Sequence, residues 1–240
     1  MKRLTGWLAT IVVVMLAAAA LAGCGDDDGG DSDATESTED EATDDDGGAD
    51  VDAEDIVLTE DDVPDGFEVN EDAADSTRLD DAIEDCADED LLDALDEGTA
   101  SEAEGLDLVS EEDQVGVSSR ATVLDDEELA TEFFGLVTDG CIGEALSDGF
   151  NEDLSEDDFD EFGVTRENAQ DLPDIGAEIG GFTFLLEGES DSQSLAVFSE
   201  YVVVQQGNAV AFFLFSGIDA PFPSDDEEDL IELVAERMEA

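Results

Sequence analysis

Hydrophobic and polar residues alternate along several stretches of the chain, and this pattern predicts strands. In residues 114–124 every second position is apolar or small, which is typical of a half-buried strand. Three further strands are expected at 182–187, 195–206 and 209–216. Gly207 and Asn208 separate the last two strands, and glycine can adopt the positive φ that a two-residue hairpin turn needs. The pattern therefore predicts a β-hairpin close to the C-terminus.

Other stretches repeat their apolar residues every three or four positions, which predicts helices. One helix follows Ser76, its expected cap, and places Leu79, Ile83 and Cys86 on its inner face. A second helix is expected over 125–139, where acidic residues in the first turn interact favourably with the helix dipole. Both helices are amphipathic, so each needs a partner surface.

The rest of the domain gives shorter or weaker signals. A short extended piece is expected at 56–58, and Pro64-Asp65-Gly66 predicts a turn. A short helix should continue from Gly140 to Leu146, whereas the acidic residues 147–177 predict a long excursion with one or two helical turns. Ser224 and Glu227 form a capping box at the start of an amphipathic C-terminal helix.

Antiparallel strands with helices grouped around them predict the α+β class, with one antiparallel sheet and the helices packed on one face. Residues 56–240 supply 185 positions, which suits a single domain with its own core.

The N-terminus is typical of an export signal. Lys2 and Arg3 precede a stretch without charge, and residues 8–22 are almost wholly apolar. Leu21-Ala22-Gly23-Cys24 resembles the lipobox of bacterial lipoproteins, so we expect residues 1–23 to be a signal peptide and Cys24 to be lipidated. The alternative is an uncleaved transmembrane helix. Either arrangement places the remainder of the chain outside the cytoplasm.

Residues 24–55 are expected to form a disordered linker after the lipidated cysteine. Positions 25–55 contain 16 acidic residues, and their few apolar residues are alanines and one valine. Such a segment cannot bury enough apolar surface to offset the entropy of ordering it. We interpret it as a spacer; the alternative is a brush that collects calcium.

If Cys24 carries lipid, Cys86 and Cys141 remain as a pair in an exported domain. Because disulfides persist in oxidising compartments, we predict a bond between them. The alternative is two buried free thiols.

The charge balance excludes whole classes of function. The chain has 72 acidic and six basic residues and no histidine, for a net charge of −66. Nucleic-acid binding needs a basic surface, which this composition excludes. Catalytic triads and metal sites that need histidine are excluded because the chain has none. No nucleotide-binding or hydrolase motif occurs, so we expect no enzyme, no cofactor and no metal. Arg120, in the middle of a predicted strand, is the candidate contact for an anionic ligand; the alternative is a structural partner for nearby carboxylates.

Several features together resemble actinobacterial envelope lipoproteins: the string LTEDDVPDGF at 58–67, the two separated cysteines, the hairpin around Gly207 and the closing helix. They are also similar, more distantly, to the extracellular sensor domains of mycobacterial receptor-type serine/threonine kinases. The resemblance implies a curved antiparallel sheet with helices and a cleft for an unidentified ligand. Those sensor domains usually carry two disulfides, whereas this chain has cysteines for one.

The expected function is that of a lipid-anchored binding or sensor-like lipoprotein on the extracytoplasmic face of the cell membrane. Its partners would be the membrane, through the acyl anchor, and a small molecule, a lipid or an envelope protein. The alternatives are a divalent-cation-binding or surface-structural acidic protein, and a hydrolase that uses a pair of carboxylates.

The charge also predicts a response to salt. Residues 56–240 hold 56 acidic residues against four arginines, on a surface of roughly 8,700 Å². The charges are then about 13 Å apart, a separation that is screened weakly at 0.1 M salt, where the Debye length is about 10 Å, and strongly at 1 M. We therefore expect a halophilic protein whose urea unfolding midpoint is higher in 2 M KCl than in 0.1 M KCl. Equal midpoints would contradict this.

Overall fold

A computed structural model of the chain describes residues 51–70, 77–110, 112–153, 161–169, 172–190 and 193–239. Within these ranges eight strands are present: β1 Glu68–Val69, β2 Thr99–Glu104, β3 Leu108–Ser110, β4 Val115–Leu124, β5 Glu161–Asn168, β6 Glu178–Ser190, β7 Gln193–Gln206 and β8 Ala209–Ile218. The same ranges contain six helices: α1 Ala53–Ile56, α2 Thr77–Cys86, α3 Glu89–Gly98, α4 Glu127–Val137, α5 Gly140–Asp153 and α6 Ser224–Met238. The predicted signal peptide, Cys24, most of the linker and the Ser76 cap lie outside the described residues.

The strands form one antiparallel sheet in the order β1-β3-β4-β8-β7-β6-β5, and β2 pairs with β4 beside β3. The β7–β8 hairpin turns at Gly207, whose φ is 56°, so the predicted hairpin is confirmed. The strand predicted at 114–124 and the helix predicted over 125–139 are confirmed as β4 and α4. The α+β class with one antiparallel sheet is confirmed as well.

Both faces of the sheet are apolar, because valine and phenylalanine occupy successive positions of the central strands. Val202 and Phe213 lie on one face with α1 and α6, which we call the α6 face. Val203 and Phe212 lie on the other with α4, which we call the α4 face. On that second face, α2 and α5 pack against β6 and β7. The distribution of helices thus differs from the expectation of one covered face, since a sheet that is apolar on both sides needs cover on both.

The folded structure begins before residue 56. Asp52 caps α1 by accepting a hydrogen bond from the Glu54 amide, and Ala53 and Ile56 are completely buried. Residues 51–55, which were expected to be part of the linker, therefore belong to the fold. Ala53–Ile56 form the helical turn, so the extended piece expected at 56–58 begins only at Val57.

The expected long excursion at 147–177 is wrong in one respect. The helical turns expected there are present, because α5 continues to Asp153, but residues 161–168 form β5, which pairs with β6. Strand β5 is at the edge of the sheet and exposes most of its side chains, so it lacks the strong apolar alternation of a central strand. Helix α3 and strands β2 and β3 had no counterpart in the prediction.

The predicted capping box at the start of α6 is also wrong. Pro223 is the N-cap, no side chain caps the helix, and Ser224 is already helical. The side chain of Phe222 is buried between Phe67 and Phe215, with ring centroids 6.1 and 5.0 Å away. This burial fixes where the chain enters the helix, and Glu227 is not part of a cap.

The predicted disulfide between Cys86 and Cys141 is present, with the two Cα atoms 6.0 Å apart. It joins the last residue of α2 to the second residue of α5. The bond therefore holds together two helices on the α4 face through cysteines that are 55 residues apart in sequence.

Replacing both cysteines by serine should lower the free energy of unfolding by about 4 kcal/mol, because the unfolded chain regains the entropy of a long open loop. Urea denaturation of the wild type and of the double variant Cys86→Ser/Cys141→Ser measures the loss. Reduced wild type is the control and should lose the same amount. A loss below about 1 kcal/mol would show that the bond constrains little.

Candidate functional site

Arg120, the ligand contact suggested by the sequence, lies on β4 and points to the α4 face. Its Nη1 donates to Asp80 Oδ1 of α2 at 2.5 Å. Its Nε donates to Glu102 Oε1 of β2 at 2.8 Å, and Nη2 contacts the same oxygen. The guanidinium therefore joins a helix and two strands.

These contacts assign Arg120 a structural role. Burial disfavours the charged guanidinium, but the hydrogen bonds and charges of Glu102 and Asp80 outweigh it and raise the pKa of Arg120. Only 20% of the side chain is exposed. The structure thus favours the alternative of a partner for nearby carboxylates over a contact for an anionic ligand.

Two further arginines join elements in the same way. Arg166 on β5 donates to the carbonyl of Gly140, in the first turn of α5, and its guanidinium lies 5.5 Å from the ring centroid of Phe182. Arg237 in the last turn of α6 donates to the Val57 carbonyl at 3.0 Å and to Asp62 Oδ1 at 2.5 Å. Both guanidinium groups therefore already have partners within the protein.

Asp62 shows how strongly the Arg237 contact favours charge. Burial alone would raise the pKa of this carboxyl, but the hydrogen bonds from Arg237 and from Thr59 outweigh it and lower the pKa. The ion pair fixes the C-terminal end of α6 to the segment that follows α1.

A pair of carboxylates, Glu200 and Glu227, lies at the other end of the same helix. Glu200 on β7 lies two and four residues before Val202 and Val204, which are completely buried on the α6 face. Because every second side chain of a strand points to the same face, Glu200 points to the α6 face as well. Glu227 precedes the completely buried Ile231 by four residues and points with it toward the sheet. Both glutamates are half-buried. The helix and the strand therefore turn one carboxylate each toward their common contact.

The environment of this pair favours the neutral acids. Burial raises the pKa of Glu227, and the charge of Glu200 raises it further, to about 7. Burial also raises the pKa of Glu200, and a hydrogen bond from Thr183 lowers this pKa by less than burial raises it. The N-terminus of a helix favours a negative charge by about 0.3–1 kcal/mol. This effect opposes the rise in the pKa of Glu227 that burial and Glu200 cause.

The pair combines an acid with a raised pKa and a second carboxylate, which is a feature of hydrolases that act by general acid catalysis. Here, however, both groups are half-buried where a helix meets the sheet that it covers. Among the described residues, no group of three or more cysteine, aspartate or glutamate side chains could hold a metal ion.

This pair was not predicted from the sequence, although both acidic residues stand at inward positions of apolar patterns. Glu227 was interpreted as half of a capping box, yet its spacing to Ile231 places it on the apolar side of the helix. Glu200 occupies the same alternating positions of β7 as Val202 and Val204, where an apolar residue is expected. An acidic residue at an inward position of an otherwise apolar pattern was the clue.

Replacing Arg120 by Gln should lower the free energy of unfolding by about 1–2 kcal/mol, because Asp80 and Glu102 lose their common cation. Urea denaturation at low salt measures the change, and a double-mutant cycle with Glu102→Gln isolates the ion pair. Arg120→Lys should recover only part of the loss, since lysine lacks the planar fork. An unchanged midpoint in Arg120→Gln would contradict the structural role.

No protein-family model matches the chain, and no curated protein matches it. Among solved structures, the chain is similar to the extracellular domain of PknH from Mycobacterium tuberculosis, with 9% identity and a TM-score of 0.32. That similarity covers 58% of this chain and 65% of the other. The chain is also similar to LpqN, involved in cell envelope biogenesis of Mycobacterium tuberculosis, with 10% identity and a TM-score of 0.30. In that case 76% of this chain and 86% of the other are covered.

Proposed function

We propose that the protein is a lipid-anchored envelope protein whose α+β domain binds a small molecule, a lipid or an envelope partner without catalysing a reaction. The Cys86–Cys141 disulfide carries this proposal. Structural disulfides persist outside the reducing cytoplasm, and this one crosslinks two helices of the folded domain. An exported location explains both the bond and the charged, then apolar, N-terminus.

The anchor follows from the sequence at the end of the apolar segment. Cys24 comes directly after Leu21-Ala22-Gly23, and acyl chains on this cysteine would hold the domain at the extracytoplasmic face of the membrane. Two or more chains are needed for stable anchoring, because one chain binds a bilayer only marginally. Within the described part of the chain, no helix has the length and apolar character to span a membrane.

The chemistry of the folded domain supports binding over catalysis. The chain has no histidine to act as a base. Arg120, Arg166 and Arg237 are engaged with groups of the protein itself. The two carboxylates with raised pKa, Glu200 and Glu227, are half-buried at the contact of α6 with the sheet. The folded domain thus offers a rigid sheet with helices on both faces, which is a scaffold for recognition.

Labelling with an alkyne fatty acid in a bacterial host that processes lipoproteins tests the anchor. The wild-type chain should incorporate the label and remain with the membrane, whereas Cys24→Ser should incorporate none, because the acylated thiol is missing. Cys86→Ser is the matched control and should be labelled like the wild type. Equal labelling of the Cys24→Ser variant would overturn the anchor.

Native mass spectrometry of the protein from its own host tests the binding role. We expect a mass in excess of the acylated chain that is lost on denaturation. A mass that always equals that of the acylated chain, together with hydrolysis of added glycosides, would favour the hydrolase instead.

A further inference from the structure

Helix α6 is held at both ends by contacts of different kinds. Before its first residue, Phe222 packs between Phe67 and Phe215. In its last turn, Arg237 binds Asp62 and the carbonyl of Val57. Between these anchors the helix depends on the packing of its inner face against β7 and β8.

The first two turns of the helix meet the sheet at the carboxylate pair Glu200 and Glu227. Glu227 lies one turn before Ile231, and Glu200 lies on the strand beneath. The N-cap residue, Pro223, makes no side-chain hydrogen bond to the amides of the first turn. This part of the contact therefore combines like charges with an uncapped helix end.

The charged groups around the pair offer no compensation in the described part of the chain. Strand β8 presents only alanine, phenylalanine and glycine to the α6 face, and β6 presents Thr183 next to Glu200 and the exposed Glu187 farther along. Strand β5 adds the exposed Glu167, which pairs with Thr183, and the segment 172–177, which packs on the same core, carries the exposed Asp174. Helix α1 carries Glu54 and Asp55, both exposed. Nearby acidic residues on α6 itself are Asp225, Asp226, Glu228 and Asp229. The single cation of the helix, Arg237, lies ten residues after Glu227 and is bound to Asp62.

We propose that the contact between α6 and the sheet is a pH-responsive switch: the first two turns pack on the sheet when Glu227 is neutral and loosen when it ionises beside Glu200. Phe222 and Arg237 retain the two ends, so the change is confined to the residues between them. Loosening would uncover Leu230, Ile231 and the apolar sheet beneath, and so would make a new apolar surface available. The switch does not depend on the proposed lipid anchor or on any ligand.

The sign follows from proton linkage. The pKa of Glu227 is about 7 in the packed helix, above its ordinary value of 4.5. Between these two pH values the packed state holds a proton that the loosened state releases, so packing weakens as pH rises through this window. The stabilisation is fully present below about pH 4.5 and is lost above about pH 7.

Hydrogen exchange of the full-length protein at several pH values between 5 and 8.5 tests the switch. After correction for the intrinsic exchange rate, protection of amides 227–231 should fall by roughly 75-fold over this range, because the packed state keeps its proton up to about pH 7 and the loosened state only up to about pH 4.5. Protection of amides 202–204 in β7 should stay constant and serves as the reference for global unfolding.

Three variants distinguish this switch from ordinary fraying. Glu227→Gln should remove the fall in protection, because the amide stays neutral. Glu200→Gln should move the transition to lower pH, because the repulsion is gone while the burial remains. Glu228→Gln, one residue along on the exposed side, should behave like the wild type. A pH-independent wild type, an equal effect of Glu228→Gln, or a parallel loss in β7 would each overturn the proposal.

Discussion

The scarcity of positive charge is the constraint on which the rest of the structure depends. After residue 55 the chain has 56 acidic residues and only four arginines, so a network of salt bridges cannot hold it together. The three arginines whose side chains are described are each placed where they join separate elements. Arg120 joins α2 to β2 and β4, Arg166 joins β5 to α5, and Arg237 joins α6 to the segment after α1. Each cation thus fixes one helix at a defined place.

Most of the stability must then come from apolar burial and from the disulfide. The central strands carry valine and phenylalanine at successive positions, so the two faces of one sheet build two layers of core. Completely buried side chains such as Phe184 and Phe213 lie on opposite faces. Acidic residues are largely confined to helix surfaces, edge strands and loops, where water and salt can screen them. The bond between Cys86 and Cys141 adds a link that does not depend on charge.

The parts of this fold that were predictable are those set by local sequence. The hairpin at Gly207, strand β4 and helix α4 follow from turn chemistry and from periodic apolar positions. The missed strand β5 pairs with only one neighbour and exposes polar residues, so its pattern is weak. The start of α6 depends on the burial of Phe222 between two distant rings, which no local rule contains. For the carboxylate pair the sequence contains part of the signal, since Glu200 and Glu227 each occupy an inward position of an apolar pattern, but their pairing depends on where the helix meets the sheet.

The shortage of cations also explains why protonation, and not ion pairing, reduces the charge of the pair Glu200 and Glu227. Elsewhere a half-buried pair such as Glu200 and Glu227 would be neutralised by a lysine or an arginine, but the described arginines all hold other elements. A proton is the remaining means of removing the charge, and it is available only below about pH 7 for Glu227. Salt screens exposed charges far more than buried ones. Salt and pH therefore act on different parts of the molecule: salt acts on the acidic surface as a whole, and pH acts on the contact of a single helix.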